Sequence, residues 1–171
     1  MPPIRSVAEK VGKGRALKDI CGKERECLLE KVELLDSSCQ KLYFEGKLNI
    51  GKNIKDVWKL ANFFCGKIKE YIKMEEKAIF PLVENRLPQY GCMLLHFRAE
   101  HKTILNEFSR LRRLLRSLKK ETRSAKSPQT IRRVHQSGLY VSHLLRYHLK
   151  SEGDYLSKAI HDELAPENGK K

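Results

Sequence analysis

Apolar residues recur at the three- and four-residue spacing of an α-helix through four long stretches of this chain. The first, from Arg15 to Glu45, carries Leu17, Cys21, Leu28, Leu29, Val32, Leu35, Cys39 and Leu42, and Gly46 is a favoured residue just past its end. Asn53 reads as the N-cap of a second helix with Val57, Leu60, Ala61, Phe64, Ile68, Ile72, Ala78, Ile79 and Leu82 inward. Pro81 should kink that helix or end its regular part, and Leu87-Pro88-Gln89-Tyr90-Gly91 reads as a turn. A third helix to about Thr122 places Leu94, Phe97, Ile104, Leu105, Phe108, Leu111, Leu115 and Leu118 on one face. Ser127-Pro128 pairs a capping residue with a first-turn proline and predicts a fourth helix to about Glu163, with Val134, Val141, Leu144, Leu145, Tyr155, Leu156 and Ala159 inward. No stretch alternates with period two. Four long helices with short links predict an all-α, up-down-up-down four-helix bundle over residues 15–163. Residues 1–14, with two prolines and two glycines, read as a flexible arm, and 164–171 as a disordered tail.

Each predicted stripe is interrupted by polar groups: Arg25 in the first helix, Tyr71 and Glu75 in the second, His101 in the third, His148 and Glu152 in the fourth. The interruptions repeat. Tyr71 and Glu75 lie 77 residues before His148 and Glu152, and Arg25 lies 76 before His101, with Glu24 and Glu100 ahead of them and leucine-type positions in register. The chain therefore reads as a duplicated helical hairpin. Residues four apart on a helix differ by about 40° in direction and about 6 Å in height, so each pair aims two polar groups at one level.

A buried, unpaired carboxylate costs several kcal/mol, so two of them in a bundle core call for a cation, a metal or a raised pKa. Imidazole and carboxylate together suit iron, manganese or zinc, and two facing carboxylates can bridge a metal pair. The competing arrangement is a metal-free network in which Arg25 neutralises Glu75 and Glu152. His96 and His143 each lie five residues before a stripe histidine, about 140° away from the core face, and read as surface residues. His135 and His161 read as solvated residues near the ends of the fourth helix.

Composition narrows the setting. A chain of 171 residues is long enough for one well-packed domain. Five cysteines without a CxxC pair argue against a disulfide framework, and no export signal or run of eighteen apolar residues is visible, so a cytoplasmic protein is expected. The net charge is +14, and ten basic residues fall between Arg110 and Arg133. Such a run raises the question of nucleic acid or an acidic protein as a partner. No aromatic residue interleaves it for base stacking, which favours a solvated helix face.

Three segments together resemble the hemerythrin-like family, the HHE cation-binding domains. Tyr71-Ile-Lys-Met-Glu75-Glu76-Lys-Ala-Ile-Phe-Pro81 is similar to the family's His-x-x-x-Glu-Glu…Phe-Pro helix, Glu100-His101-Lys-Thr-Ile104 to its Glu-His-x-x-Ile, and His148-Leu-Lys-Ser-Glu152 to its last His-x-x-x-Glu. The resemblance spans about residues 16–160 and implies a bundle around a non-haem di-iron centre. By position, Glu75 and Glu152 would bridge the irons, and His101 and His148 would hold one of them. Arg25 and Tyr71 stand where the other iron's histidines are expected, which alters the first half-site. A phenolate suits ferric iron, whereas an arginine cannot ligate. Phe97 takes the place of a further histidine found in the oxygen-carrying members, so reversible oxygen carriage is not expected. The resemblance implies one or two irons, with Tyr71, Glu75, His101, His148 and Glu152 as metal residues. The expected work is handling or sensing of oxygen, peroxide, nitric oxide or iron. No separate nucleophile or acid-base pair stands out, so an enzymatic role stays open.

Overall fold

The computed structural model describes residues 4–46, 48–122 and 127–164, with side-chain surroundings described within 22–156. The described residues are helical throughout apart from short links. Helix α1 spans Ile4–Glu45, α2 Ile50–Met74, α3 Phe80–Arg86, α4 Gly91–Glu121 and α5 Ser127–Leu164. A π-helical turn, Glu75–Ile79, joins α2 to α3, and a 3-10 turn, Pro88–Tyr90, leads into α4. Helix α1 packs against α2 and α5, and α4 packs against the same two, so four long rods enclose one core. None of the helices described is long and apolar enough to cross a membrane.

The buried positions explain this packing. On α4 they are Leu94, Phe97, His101, Ile104, Phe108, Leu111, Leu115 and Leu118, alternating three and four apart. Helix α2 follows the same rhythm from Ile54 through Val57, Ala61, Phe64, Ile68 and Tyr71, and α1 does so from Leu28 to Leu42. A period near 3.5 is the seam of helices that cross at about 20° and interlock side chains. Phe64 and Phe108 stack across it with ring centroids 5.0 Å apart. Each such fully buried side chain stabilises by about 1.5–3 kcal/mol.

Helix ends follow local chemistry. Gly46 adopts φ +54°, the left-handed conformation that closes a helix and that side chains disfavour. Helix α2 then begins at Ile50 rather than after Asn53, which lies buried in its first turn. There the Asn53 amide donates to Glu45 Oε2 at 2.8 Å and Asn49 donates to the same oxygen at 3.1 Å, tying the end of α1 to the start of α2. The two donors hold the Glu45 carboxyl below its usual range. Helix α5 starts at Ser127 as its Ser-Pro pair predicts, and Thr130 Oγ1 donates to Glu121 Oε2 at 2.7 Å.

The structure departs from the expected pattern in three places. Helix α1 extends upstream to Ile4, through Gly12 and Gly14, since glycine inside a helix costs only about 1 kcal/mol and does not forbid one. The regular part of the second rod does end ahead of Pro81, at Met74, but Pro81 does not break the rod. It follows the π turn, where the Phe80 N–H reaches back to the Glu75 carbonyl, and the extra residue rotates everything beyond it. Phe80 and Val83 are therefore buried, Ile79 stays buried, and Ala78 and Leu82 are only half-buried. On α5, Tyr155 is exposed and Leu149 takes a buried place. Ala159, Leu17, Cys21, His161 and the expected tail at 165–171 lie outside the residues whose surroundings are described.

The apolar core has two parts. The larger runs along the bundle from Ile131 and Leu118 to Ile72 and Leu149, and the smaller gathers Ile79, Phe80, Val83, Leu87, Leu94, Phe97 and Leu156. Between them lies a layer of polar side chains.

Candidate metal centre

Every long rod contributes to that layer. The π turn supplies Glu75, α4 supplies His101, α5 supplies His148 and Glu152, α2 supplies Tyr71, and Arg25 approaches from α1. Glu75, His101, His148, Glu152 and Tyr71 are all buried, Glu75 completely. The surface assignments of His96 and His143 agree with their exposure, but His135 is half-buried and stacks on Tyr43 with centroids 4.4 Å apart. Burial lowers the His135 pKa.

Glu75, His101 and His148 present ligand-type atoms that all lie within 4.8 Å of one another. His101 Nε2 is 3.2 Å from His148 Nε2 and 3.1 Å from Glu75 Oε2. The far side of each ring explains why both Nε2 atoms face inward. His101 Nδ1 meets Glu76 Oε1 at 2.8 Å, and His148 Nδ1 meets Glu100 Oε2 at 2.7 Å. A carboxylate only accepts, so each Nδ1 carries the proton and donates it. The neutral ring then directs an Nε2 lone pair inward, the arrangement in which second carboxylates orient metal-bound histidines. Glu100 is held below its ordinary pKa chiefly by the His148 hydrogen bond. It also lies 3.2 Å from the exposed His96.

Two lone pairs facing each other need a proton or a metal ion between them. A proton would make a serviceable N–H···N bond at this distance, yet it would leave Glu75 unserved. The 3.1 Å approach of His101 lacks the angle of a hydrogen bond, and neither Glu75 oxygen makes a well-formed hydrogen bond, although Glu152 and Tyr71 lie near enough to draw its pKa down. One cation at this point would satisfy all three groups, as would a second proton held on the raised Glu75 carboxyl. With metal–nitrogen bonds of about 2.1 Å, two nitrogens of one coordination sphere lie about 3.0–3.4 Å apart, which brackets the spacing found here.

Glu152 and Tyr71 form the other half of the layer. The Tyr71 hydroxyl lies 2.8 and 2.9 Å from the two Glu152 oxygens, to which it donates, and Glu152 Oε2 is 3.8 Å from His148 Nε2. Burial pushes the Glu75 carboxyl up to about 7, against the pull of Glu152, Tyr71 and the Arg25 charge. Burial, followed by the neighbouring Glu75 charge, pushes Glu152 well above the usual carboxylate range. Both acids are thus poised to exchange a proton for a cation.

Arg25 lies close to this layer without closing it. Its guanidinium covers Gly153, where a Cβ would fall 2.8 Å from Cζ, so the missing side chain makes its room. Among the described residues Arg25 forms no ion pair with Glu75 or Glu152, and its effect on Glu75 is a longer-range attraction. The metal-free network that relies on Arg25 as a counter-ion therefore lacks its contact.

The walls are aromatic. Phe80 stacks on His101 with centroids 5.7 Å apart, and Phe97 meets the His148 ring edge-on at 5.5 Å. A surface cleft of about 120 Å³, lined by Glu24, Lys67, Glu70, Tyr71 and Met74, opens beside Tyr71. The orienting roles of Glu76 and Glu100 escaped the sequence reading, although their adjacency to Glu75 and His101 was its available sign. Compared with known proteins, the chain matches no family model, no curated sequence and no solved structure.

Proposed function

We propose that this protein is a non-haem iron-binding bundle of the hemerythrin type, with up-down-up-down topology, that handles or senses a small oxidant such as oxygen, peroxide or nitric oxide. The reading is carried by one observation: His148 Nε2 and a Glu75 carboxylate oxygen converge within 3.2 Å of His101 Nε2, each ring oriented from behind by a carboxylate. Two histidines and one carboxylate with positions left open form the ligand set typical of ferrous non-haem centres. Glu75, His101 and His148 would hold the ion. Glu152, backed by the Tyr71 hydroxyl, would face its open side or bridge to a second ion.

Bound iron would supply redox chemistry toward the small ligand, and the chain supplies what surrounds it. Phe80 and Phe97 exclude water from the imidazoles, and the cleft beside Tyr71 is of a size for a small molecule. Lys67 stands at that cleft, 3.5 Å from Glu70 and 3.9 Å from Glu24. The free thiols of Cys27, Cys39, Cys65 and Cys92 agree with a reducing, cytoplasmic setting.

The test is optical. Protein loaded with ferrous iron without air should change its visible spectrum on mixing with oxygen, hydrogen peroxide or nitric oxide, and His101→Ala should abolish the change. An iron-loaded wild type inert to all three would refute the proposed work.

A further inference from the structure

The basic face of α4, far along the bundle from the metal layer, has an aromatic partner that its own sequence lacks. Trp58 of α2 lies under it, with the Arg112 and Arg116 guanidinium carbons 5.7 and 5.9 Å from the indole centroid. A pocket of about 510 Å³ opens beside the half-buried indole, with Ile54, Trp58 and Leu115 as its apolar floor and Lys55, Arg116 and Lys119 around it. Arg116 also lines a second cavity of about 390 Å³, shared with Asn106, Ser109, Arg112 and Arg113. Among the described residues, no acidic side chain lines either cavity. Arg112 Nε is buried without a hydrogen-bond partner.

We propose that these two cavities form one binding site for single-stranded nucleic acid, with a base against Trp58 and successive phosphates along Lys119, Arg116, Arg113 and Arg112. Ser109, Arg112, Arg113, Arg116 and Lys119 share one face of α4 and cover about 15 Å of its axis. An indole floor beside a basic track is how proteins hold single strands without reading sequence, because every base offers a π-face. The chemistry disfavours the other anions. A fatty acid uses the floor but carries one charge against five cations, and an acidic peptide uses the cations but leaves the indole bare. In a duplex the base faces are already stacked. The excess charge of the whole chain, +14, favours the same polyanion.

Trp58 is the chain's single tryptophan, so its fluorescence reports this site alone. The probe is an oligothymidylate of about ten nucleotides, within the usual site sizes of such proteins. It should quench Trp58 with an affinity that falls steeply with salt, and it should bind more tightly than polyglutamate, heparin or a duplex of equal charge. Trp58→Leu should weaken binding, read by anisotropy of a labelled strand, by about 5- to 150-fold while heparin binding persists. Arg113 and Lys119 are exposed, so Arg113→Ala with Lys119→Ala keeps the fold and should reduce the salt slope by about 1.4. Metal content and melting temperature should not move in that double variant. Equal binding of polyglutamate, heparin or duplex would overturn the proposal, as would an unaltered salt slope or an absence of quenching.

Discussion

Replacing Glu75 by glutamine should stabilise the metal-free protein at alkaline pH and abolish its metal binding. The Glu75 carboxyl is raised from 4.5 to about 7, a difference worth about 3 kcal/mol at 1.36 kcal/mol per unit. The folded state holds this proton more tightly than the unfolded chain does. The resulting stability is complete below about pH 4.5, declines as pH rises, and is gone above pH 7. Glu152, shifted in the same direction, adds to the decline. Glutamine keeps the shape of the side chain and has no charge to bury, so Glu75→Gln escapes the penalty. Urea unfolding with a chelator present should therefore show wild type losing stability from pH 5 to pH 8. At pH 8 the variant should exceed wild type by up to about 3 kcal/mol, or about 6–12 °C in melting temperature. Saturating metal should reverse the wild-type trend, because ligation requires the deprotonated carboxylate. A wild type that gains stability toward pH 8 without metal, or a variant no more stable there, would refute the reasoning.

Other expectations are equally concrete. Glu76→Gln or Glu100→Gln, each removing a carboxylate behind a histidine, should weaken metal binding about 10- to 100-fold in a chelator competition, and unaltered affinity would remove their orienting role. Gly138→Ala should destabilise the bundle by about 1–3 kcal/mol, since a Cβ there would lie 2.3 Å from Cys39 Sγ. Adding Cys39→Ala should recover most of that loss in urea unfolding. Arg25→His with Tyr71→His should raise iron per chain, measured by elemental analysis, because it places imidazoles on both rods that lack them. No increase would mean that the α1 position does not reach the metal layer.

The rods, their seams and the buried layer were legible in the sequence because each depends on local periodicity. Leu28 to Leu42, Val57 to Tyr71 and Leu94 to Leu118 bury most of the faces that helical spacing assigns them, with Leu29, Leu60 and Leu105 only half-buried. The polar interruptions Tyr71, Glu75, His101, His148 and Glu152 do share one level. What spacing could not supply was a change of spacing: the π turn at Glu75–Ile79 brings Phe80 and Val83 inward at the expense of Ala78 and Leu82, while Ile79 stays inward as its spacing assigns. Contacts between rods were equally hidden. Spacing assigns Glu76 and Glu100 no partner, and only the packing of the rods brings them behind the imidazoles; Trp58 likewise gave no sign of lying under Arg112 and Arg116. Arg25 was seen as an intruder in its stripe, but its seat depends on Gly153, a residue on another rod whose message is the absence of a side chain.

The most direct test of the metal centre is the metal content of wild type and His148→Ala, loaded with ferrous iron in parallel and desalted. The convergence of His101, His148 and Glu75 predicts at least one iron per wild-type chain, and its loss in a variant that keeps its helical circular dichroism. Equal iron in the two proteins, or none in the wild type, would contradict the account.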